Sequence, residues 1–413
     1  MISWPDVAIP PLEPNYQLPD LRVKASSGLE TISGSDIFTL YVCGITPYDA
    51  THLGHAATYL TYDLIQRYLL AQGRKVIFAE NVTDIDDPLF ERAKRDNCDW
   101  QELATSQIDL FRSDMSSLHI LPPKSFIAVT EVIPLIISCV ETLMRKGFAY
   151  KVDQDIYFDI KNFKSRLPIT EAEARVIFAE RGGDPERPGK RDPLDPLLWL
   201  AHREGEPEWA ASFGSGRPGW HIECSAIALR YLLGPDFERS TERTISLQGG
   251  GSDLIFPHHF MSGAQAEALT GSPFARTYLH AGMMGLDGEK MSKSKGNLIF
   301  VSSLLRDGVD PMVIRHALMS DHYSKDRMWT DEHLHRSKRS IDRIRLALAK
   351  QEVSGVDTLM SSIGVALSKD LDTPTALELL DKWADLEISN QSVGTTPPGA
   401  ISRYLDAILG LAL

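Results

Sequence analysis

Cysteine is scarce in this chain. Its 413 residues include only four cysteines, Cys43, Cys98, Cys139 and Cys224. So few cysteines in so long a chain cannot form the dense disulfide framework of small secreted domains. We therefore expect a reduced, cytoplasmic protein, in which a functionally important cysteine acts as a metal ligand or a nucleophile.

Long apolar runs and an excess of basic residues are also missing. The longest apolar run, residues 132–140, is interrupted by Pro134 and Ser138 and is too short to span a bilayer. The first 21 residues lack the basic and apolar regions of a secretory signal. With 43 Lys and Arg against 56 Asp and Glu, the net charge is −13. These features argue against a membrane protein and against nucleic-acid binding through overall charge.

The order of hydrophobic segments predicts an α/β fold. A strand-like run over 37–43 is followed by the loop GITPYDATHLG, an amphipathic helix over 56–72 and a second strand-like run over 75–79. A strand–helix–strand unit places parallel strands side by side, and ligands bind at their carboxyl ends.

We divide the chain into five parts. They are an extended lead-in over 1–34, a first Rossmann half over 35–120, an inserted α/β connective segment over 121–215, a second Rossmann half over 216–300 and a helical domain over 301–413. The insertion is inferred from a helix expected near 126–146, short strands over 149–158 and a stretch rich in Gly, Pro and Arg. The C-terminal helices are expected at 310–320, 331–350, 356–370, 375–390 and 399–411.

The motif His52-Leu53-Gly54-His55 lies between the first strand and the first helix. Unpaired backbone N–H groups and the helix dipole favour phosphate at such a position. Gly54 allows a ligand to approach the backbone closely, and two imidazoles can hydrogen-bond a phosphoryl group as charge develops. A loop with two solvated histidines is an equally good interpretation of this motif alone.

A basic loop, KMSKS, begins at Lys290 and is followed by KGN. Alone, such a run is more often a solvated surface. HLGH followed about 235 residues later by KMSKS, however, is the signature of class I aminoacyl-tRNA synthetases, which the chain resembles over about 37–330. The resemblance implies that His52, His55, Lys290 and Lys293 assist attack on ATP, with Mg²⁺ on the phosphates.

Cys43, Cys224 and His258 form a set of ligands suited to zinc. Three protein ligands leave one coordination position open, and beside an ATP site that position would select cysteine, because a thiolate binds the metal far better than a serine hydroxyl. From the residues alone, two buried core thiols are the commoner arrangement.

Seven motifs resemble those of cysteinyl-tRNA synthetases, in the same order. They are YVCGITPYD, THLGH, NVTDIDD, DPLDPLLW, GRPGWHIECSA, GGGSDLIFPHH and KMSKSKGN. The resemblance implies that Cys43, Cys224 and His258 hold one zinc ion, and that Cys98 and Cys139 are structural.

Three departures indicate a closer relative. Ser262 stands where the synthetases have a fourth zinc ligand, Glu, and only about 118 residues follow KMSKS, too few for a large anticodon-binding domain. The motif ERGGDP over 180–185, with ATHLGHAATY and NVTDIDDPLFERA, resembles mycothiol-pathway cysteine ligases. The resemblance implies that a monomer, without tRNA, joins L-cysteine to the amine of 1D-myo-inosityl 2-amino-2-deoxy-α-D-glucopyranoside. The reaction would pass through cysteinyl-adenylate and release AMP and pyrophosphate.

Three other functions stay open. One is a cysteinyl-tRNA synthetase with a reduced C-terminal domain. Another is a non-catalytic synthetase-like module, although the intact HLGH and KMSKS motifs argue against it. The third is a simple zinc hydrolase that uses the open coordination position, which would leave the pyrophosphate-handling motifs unexplained.

The ligase resemblance also implies the contacts to the adenylate. These are Cys43, Gly44, Ile45, Thr46, Thr58, Asn81, Val82, Thr83, Trp220, Gly251, Ser252, Asp253 and Met284. Thr58 as an ordinary helix-surface residue and Met284 as an ordinary core residue remain alternatives. Arg181 and Asp184 of ERGGDP are expected to contact the acceptor. Asp84, Asp86 and Asp87 could suggest a metal cluster, but a solvated loop with helix caps is the better interpretation.

Two features leave the geometry of the zinc site open. The segment over 225–248 is longer than expected for either family and could shift Cys224 relative to His258. Phe260 stands where both families usually have Glu, which puts one hydrogen bond to the ligand shell in doubt.

Overall fold

Strands and helices alternate over the first 290 residues, and the chain is mostly helical thereafter. The computed structural model describes residues 1–12, 16–25, 28–32, 37–49, 51–239, 243–286, 288–291, 297–389 and 394–413. Its strands are β1 (Arg22–Ala25), β2 (Gly28–Thr31), β3 (Ile37–Ile45), β4 (Lys75–Val82), β5 (Ser125–Ala128), β6 (Ala149–Val152), β7 (Asp155–Phe158), β8 (Leu197–Ala201), β9 (Gly216–Pro218), β10 (Ile245–Gly251), β11 (Ala275–Ala281), β12 (Met284–Leu286), β13 (Glu289–Lys290) and β14 (Arg327–Trp329). Its helices are α1 (Leu53–Ala71), α2 (Asp87–Asp96), α3 (Trp100–Ser117), α4 (Ile133–Arg145), α5 (Glu171–Glu180), α6 (Ile222–Ala228), α7 (Phe260–Thr270), α8 (Val301–Arg306), α9 (Pro311–Met319), α10 (Asp331–Leu348), α11 (Val356–Leu367), α12 (Thr373–Ile388) and α13 (Gly399–Leu409).

A parallel sheet forms the centre of the molecule. In the described part of the chain it has five strands in the order β11-β10-β3-β4-β5, and every neighbouring pair is parallel. The predicted α/β architecture is therefore confirmed. The helix predicted near 126–146 was placed too early, because residues 125–128 pair with β4 and α4 begins only at Ile133. A short apolar run does not distinguish a buried strand from the start of a helix.

The two faces of β3 belong to different hydrophobic cores. Leu40 and Val42 pack into the core that contains α1 and the C-terminal helices, whereas Tyr41 and Cys43 pack into the core on the opposite face. This follows from the two-residue period of a strand. The second core also contains Cys224 of α6, so the alternation directs Cys43 towards that helix.

An antiparallel sheet interrupts the parallel one. Among the described residues it has the strand order β6-β7-β8-β9, and it lies in sequence between β5 and β10. The Gly-, Pro- and Arg-rich stretch predicted such an interruption. The domain limits stay a prediction. Strand β5 of the parallel sheet falls inside the range assigned to the insertion, 121–215. The lead-in predicted to be extended contains the β1–β2 hairpin.

A buried ionic cluster joins α1 to the C-terminal helices. Asp63 and Arg67 of α1 and Arg315 of α9 are fully buried. Arg67 donates to Asp63 at 2.9 Å and to the backbone oxygen of Asp406 at 2.7 Å, and Arg315 donates to Asp63 and to the backbone oxygen of Leu409. The helix that begins with the HLGH motif is thereby held against α9 and α13. Across the residues with described structure, we find no helix long and apolar enough to cross a membrane.

Candidate functional site

A cavity of about 490 Å³ opens at the carboxyl ends of β3, β4 and β10, beside the start of α1. His52 caps that helix, since its Nδ1 accepts the Gly54 N–H at 3.1 Å, and its ring stacks on His55 with centroids 3.9 Å apart. A Cβ at position 54 would lie 2.8 Å from the His52 ring. The glycine is therefore needed for this cap, and both histidines line the cavity, as the motif predicted.

The two signature motifs are brought together by backbone hydrogen bonds. Leu53 N–H donates to Ile299 at 2.9 Å, and Val301 N–H donates to Thr51 at 3.1 Å. The segment that follows KMSKS thus runs beside HLGH. The backbone of Lys290 pairs within β13, but its side chain, and all of Lys293, lie outside what the structure describes. The roles of these two lysines stay predictions.

Most of the predicted contacts to the adenylate surround this cavity. Lining residues from the predicted set are Cys43, Gly44, Thr46, Thr58, Asn81, Thr83, Trp220, Gly251, Asp253 and Met284. Ile45, Val82 and Ser252 are adjacent in sequence but do not line it. The structure therefore assembles the set from β3, α1, β4, β10 and β12 and the loops beside them.

Cys43, Cys224 and His258 converge on the floor of the cavity. All three are buried, and their sulfur and nitrogen ligand atoms lie within 4.8 Å of one another. His258 Nε2 is 3.2 Å from the sulfur of Cys224. The long segment over 225–248 therefore does not separate Cys224 from His258.

The electrostatics of the triad keep its thiols protonated unless a cation is bound. Burial raises the pKa of Cys224 well above its usual range, and the adjacent Cys43 raises it further. Two thiolates this close repel each other unless a positive charge lies between them. The donor set of two sulfurs and an imidazole fits a thiophilic divalent metal such as zinc.

Three further histidines surround the triad, and sequence analysis missed them. His221 Nδ1 lies 3.0 Å from His258 Nδ1, which turns the other nitrogen of His258 towards Cys224. His259 Nε2 lies 3.3 Å from the sulfur of Cys43, and its Nδ1 lies 2.8 Å from His280. Burial lowers the pKa values of His221 and His259 well below the usual range and that of His280 to about 4. They are therefore neutral hydrogen-bonding groups at neutral pH.

Comparison with known proteins assigns the chain to a family. A family model described as tRNA synthetases class I (C) catalytic domain matches residues 30–339. The L-cysteine:1D-myo-inositol 2-amino-2-deoxy-alpha-D-glucopyranoside ligase of Streptomyces griseus is 50% identical over 420 residues, with both chains fully covered. The ligase of the same name from Gordonia bronchialis is 50% identical over 424 residues, again with full coverage of both. The chain belongs to this ligase family.

Solved structures share the fold of this ligase family member. Mycobacterium tuberculosis methionyl-tRNA synthetase in complex with methionyl-adenylate superimposes with a TM-score of 0.65 at 15% identity, covering 91% of this chain and 88% of that one. The ternary complex of Agrobacterium radiobacter K84 LeuRS with tRNA and LeuAMS gives 0.66 at 11% identity, covering 97% and 85%. At such low identity the likeness concerns the fold, and it confirms the class I synthetase architecture.

In this ligase family member, a hydrogen-bond network holds the carboxyl end of β3, which carries Cys43. Asn81 Oδ1 accepts from the Tyr41 hydroxyl at 3.0 Å and from the Gly44 N–H at 2.9 Å. Asn81 also donates to Thr83, which donates to Glu223 of α6 at 2.6 Å. A Cβ at position 44 would lie 1.6 Å from the backbone oxygen of Asn81. Only glycine allows this approach of β3 to β4.

Thr58 and Met284 each have an ordinary structural role and also a place in the cavity wall. The Thr58 hydroxyl donates to the Gly54 backbone oxygen at 3.1 Å, and Met284 is buried in the core, yet both line the cavity. The Trp220 ring lies 4.6 Å from the His258 ring, measured between centroids. Trp220 therefore covers the triad at the edge of the cavity.

Ser262 and Phe260 replace carboxylates expected near the triad. The Ser262 hydroxyl is buried and donates to the backbone oxygen of His259 at 3.4 Å. Phe260 is half-buried and lines a separate, more apolar cleft. The neutral His259 and His221 supply the polar surroundings of the triad.

Several residues that line the cavity were not predicted. Tyr48 and Asp49 lie in the loop GITPYDATHLG, and Tyr59 lies one turn into α1. Their position within the strand-to-helix loop is the signal that could have identified the first two. Met283 and Met291 also line the cavity; Met291 is the methionine of the KMSKS motif, whereas nothing in the local sequence of Met283 distinguishes it from a core residue.

Proposed function

We propose that this enzyme activates L-cysteine with ATP and transfers it to the amine of 1D-myo-inosityl 2-amino-2-deoxy-α-D-glucopyranoside, as its relatives' names describe. One observation supports this proposal above the others: two thiols and an imidazole line the same cavity as the histidines of the HLGH motif. A site selective for sulfur beside a site for phosphate suits the adenylation of cysteine.

The metal in the proposal is one zinc ion, held by Cys43, Cys224 and His258. When bound, zinc supplies an open coordination position for a thiolate, which a serine hydroxyl cannot match. The buried His221 supports the His258 ligand through its Nδ1. Trp220 lies against the His258 ring and lines the cavity, where we assign it to the cysteinyl group.

The phosphates of ATP are assigned to the amino-terminal end of α1. His52 and His55 stack there, and the helix dipole stabilises negative charge. We propose that the two histidines stabilise charge on the α-phosphate as the cysteine carboxylate attacks, and that Lys290 and Lys293 bind the departing pyrophosphate together with Mg²⁺. Positioning and charge stabilisation suffice for this step, and no covalent enzyme intermediate is needed.

We assign the amino acid and the nucleotide to different residues of the cavity lining. Thr46 and Asn81 are placed near the cysteinyl group, while Asp253 and Met284 are placed near the ribose and adenine. Both halves of the adenylate then span the carboxyl edge of the parallel sheet, where α/β folds bind ligands.

We also propose that the enzyme is cytoplasmic and acts as a monomer. All four cysteines are free thiols, which suits the reducing cytoplasm, where zinc thiolates persist. We propose that a monomer carries out both steps and uses no tRNA.

The test combines zinc content with acceptor specificity. Purified wild-type protein should contain one zinc per chain and Cys224→Ala almost none, while Cys139→Ala serves as the matched control because Cys139 is buried outside the site. Stoichiometric zinc retained in Cys224→Ala, measured by elemental analysis, would refute the ligand assignment.

In single-turnover reactions, labelled cysteine should move from the adenylate to the aminosugar. Transfer to tRNA instead would replace the proposal with a cysteinyl-tRNA synthetase. Absence of cysteine-dependent ATP–pyrophosphate exchange in the zinc-loaded protein would indicate a non-catalytic module.

A further inference from the structure

A second cavity adjoins the first. It has a volume of about 700 Å³, within the range of ligand pockets, and lies between the antiparallel sheet and the start of α2. The two cavities share Thr46, Tyr48 and Trp220 in their walls. Since Trp220 also packs against His258, the junction lies beside the triad assigned to cysteine. A molecule in the second cavity would therefore approach the cysteinyl group from the side opposite the nucleotide.

The ERGGDP motif forms one wall of the second cavity. Asp184 accepts hydrogen bonds from Lys190 at 2.8 Å and from the Tyr157 hydroxyl, so its carboxylate is already engaged in holding the wall. Gly183 packs on Phe178, whose ring a Cβ would approach to 2.4 Å. The motif thus shapes the cavity, and other residues supply the charge available to a ligand.

The charge available in this cavity is negative. Among the described residues, six carboxylates and three guanidinium groups line it. Arg187 and Arg217 are held in ion pairs with carboxylates at 2.9 and 2.7 Å. Asp86, Glu91 and Glu180 form no ion pair with any residue that the structure describes. The cavity therefore suits a ligand with a positive charge.

Asp86 is the carboxylate best placed for such a ligand. Its Oδ1 accepts the Asp87 N–H at 2.9 Å and caps α2, and the residue lines the second cavity at the start of that helix. The charge of Asp86 acts on Tyr48, which lines both cavities, so Asp86 lies near their junction. Burial raises the pKa of Asp86 to about 6, so the group is ionised at neutral pH.

We propose that the second cavity binds the aminosugar acceptor and that Asp86 holds its ammonium group at the junction. This inference rests on the proposed function, which requires an amine to reach the cysteinyl carbonyl. The planes of Tyr48 and Trp220 suit the apolar faces of a sugar ring, and Glu91 and Glu180 offer acceptors to its hydroxyls. A polyhydroxylated primary amine matches this combination of aromatic walls and unpaired carboxylates.

The test uses the full-length, zinc-loaded protein and the acceptor 1D-myo-inosityl 2-amino-2-deoxy-α-D-glucopyranoside. Asp86→Asn keeps a helix cap but removes the charge, and we expect it to raise the acceptor KM roughly 10- to 100-fold. Glu91→Trp places a large side chain in the cavity from an exposed position on α2 and should also raise the acceptor KM. Lys94→Trp, on the same helix but outside the cavity lining, is the matched control.

Pyrophosphate exchange, which needs no acceptor, verifies that each variant folds and activates cysteine. If the wild-type protein transfers no cysteine to the aminosugar, the proposed function is wrong. If it does, but Asp86→Asn and Glu91→Trp both keep the wild-type acceptor KM within twofold, the acceptor cavity is wrong and the proposed function stands.

Discussion

Replacing Asp63 with Asn should destabilise the enzyme strongly, because Asp63 is the counter-charge of two buried guanidinium groups. Its carboxylate accepts from Arg67 at 2.9 Å, from Arg315, and from the Leu121 N–H at 2.8 Å. Asn preserves the shape but removes the carboxylate that contacts both buried arginines, and leaves Asp406, 3.9 Å from Arg67, as a more distant counter-charge. Breaking a buried ion pair from one side costs about 3–5 kcal/mol.

The expected change in melting temperature follows from the length of the chain. For 413 residues unfolding as one unit, the unfolding entropy is about 0.9 kcal/mol/K, so the loss corresponds to a decrease of about 3–6 °C. Tryptophan fluorescence during heating measures it. Asp342→Asn is the matched control, since its 2.7 Å ion pair with Lys338 is exposed, and such pairs contribute about 0.5 kcal/mol.

The pH dependence provides a second check. Burial pushes the pKa of Asp63 upwards, but Arg67 and Arg315 outweigh it and hold the pKa below the ordinary value of 3.8. A carboxylate whose pKa falls on folding contributes stability above its unfolded pKa and loses that contribution as the pH falls below it. The difference between wild type and Asp63→Asn should therefore shrink below about pH 4. A decrease of less than 1 °C at neutral pH would refute the assignment of Asp63 as the essential counter-charge.

Three further predictions concern single residues. Gly44→Ala should reduce pyrophosphate exchange roughly 100-fold, because its Cβ would lie 1.6 Å from the Asn81 backbone oxygen and displace the end of β3. A variant that keeps more than a tenth of wild-type exchange would contradict this. His221→Ala should weaken zinc binding about 10- to 100-fold, since the substitution removes the partner of His258 Nδ1. A competition titration with a chelating dye measures the zinc affinity. An unchanged zinc affinity would argue for a merely structural role of His221. Glu80 has both carboxylate oxygens buried without a partner among the described residues, and burial raises its pKa well above 4.5. A carboxyl group whose pKa rises on folding lowers the stability of the fold at higher pH, by about 1.4 kcal/mol per pH unit while it stays protonated. Glu80→Gln should therefore raise Tm more at pH 8 than at pH 5. Equal increases in Tm at the two pH values would exclude this account.

The sequence predicted the parts of the fold that depend on local signals. The helix expected over 56–72 begins slightly earlier, at Leu53, because His52 caps it. The C-terminal helices lie within a few residues of their predicted limits, since each has an apolar face of helical period. Helices α2 and α3 were not predicted, although their caps Asp86 and Asp99 are local signals that could have identified them.

Residue chemistry also determined the identity of the candidate site. Two cysteines and a histidine are a zinc-type ligand set wherever they meet, and HLGH with KMSKS indicates ATP chemistry by residue type and order. Motif matching could nominate Cys43, Cys224 and His258 but could not measure the distances among them. The structure brings their ligand atoms within 4.8 Å of one another.

Only the tertiary structure decided which groups surround that site. His221 and His259 become neutral partners of the triad because the chain buries them beside residues far away in sequence. The second cavity exists because the inserted sheet and the start of α2 meet across it, and the cluster around Asp63 depends on a helix more than 240 residues further along. Short-range sequence patterns record neither burial nor long-range contact, and these two properties set the charge and shape of the site.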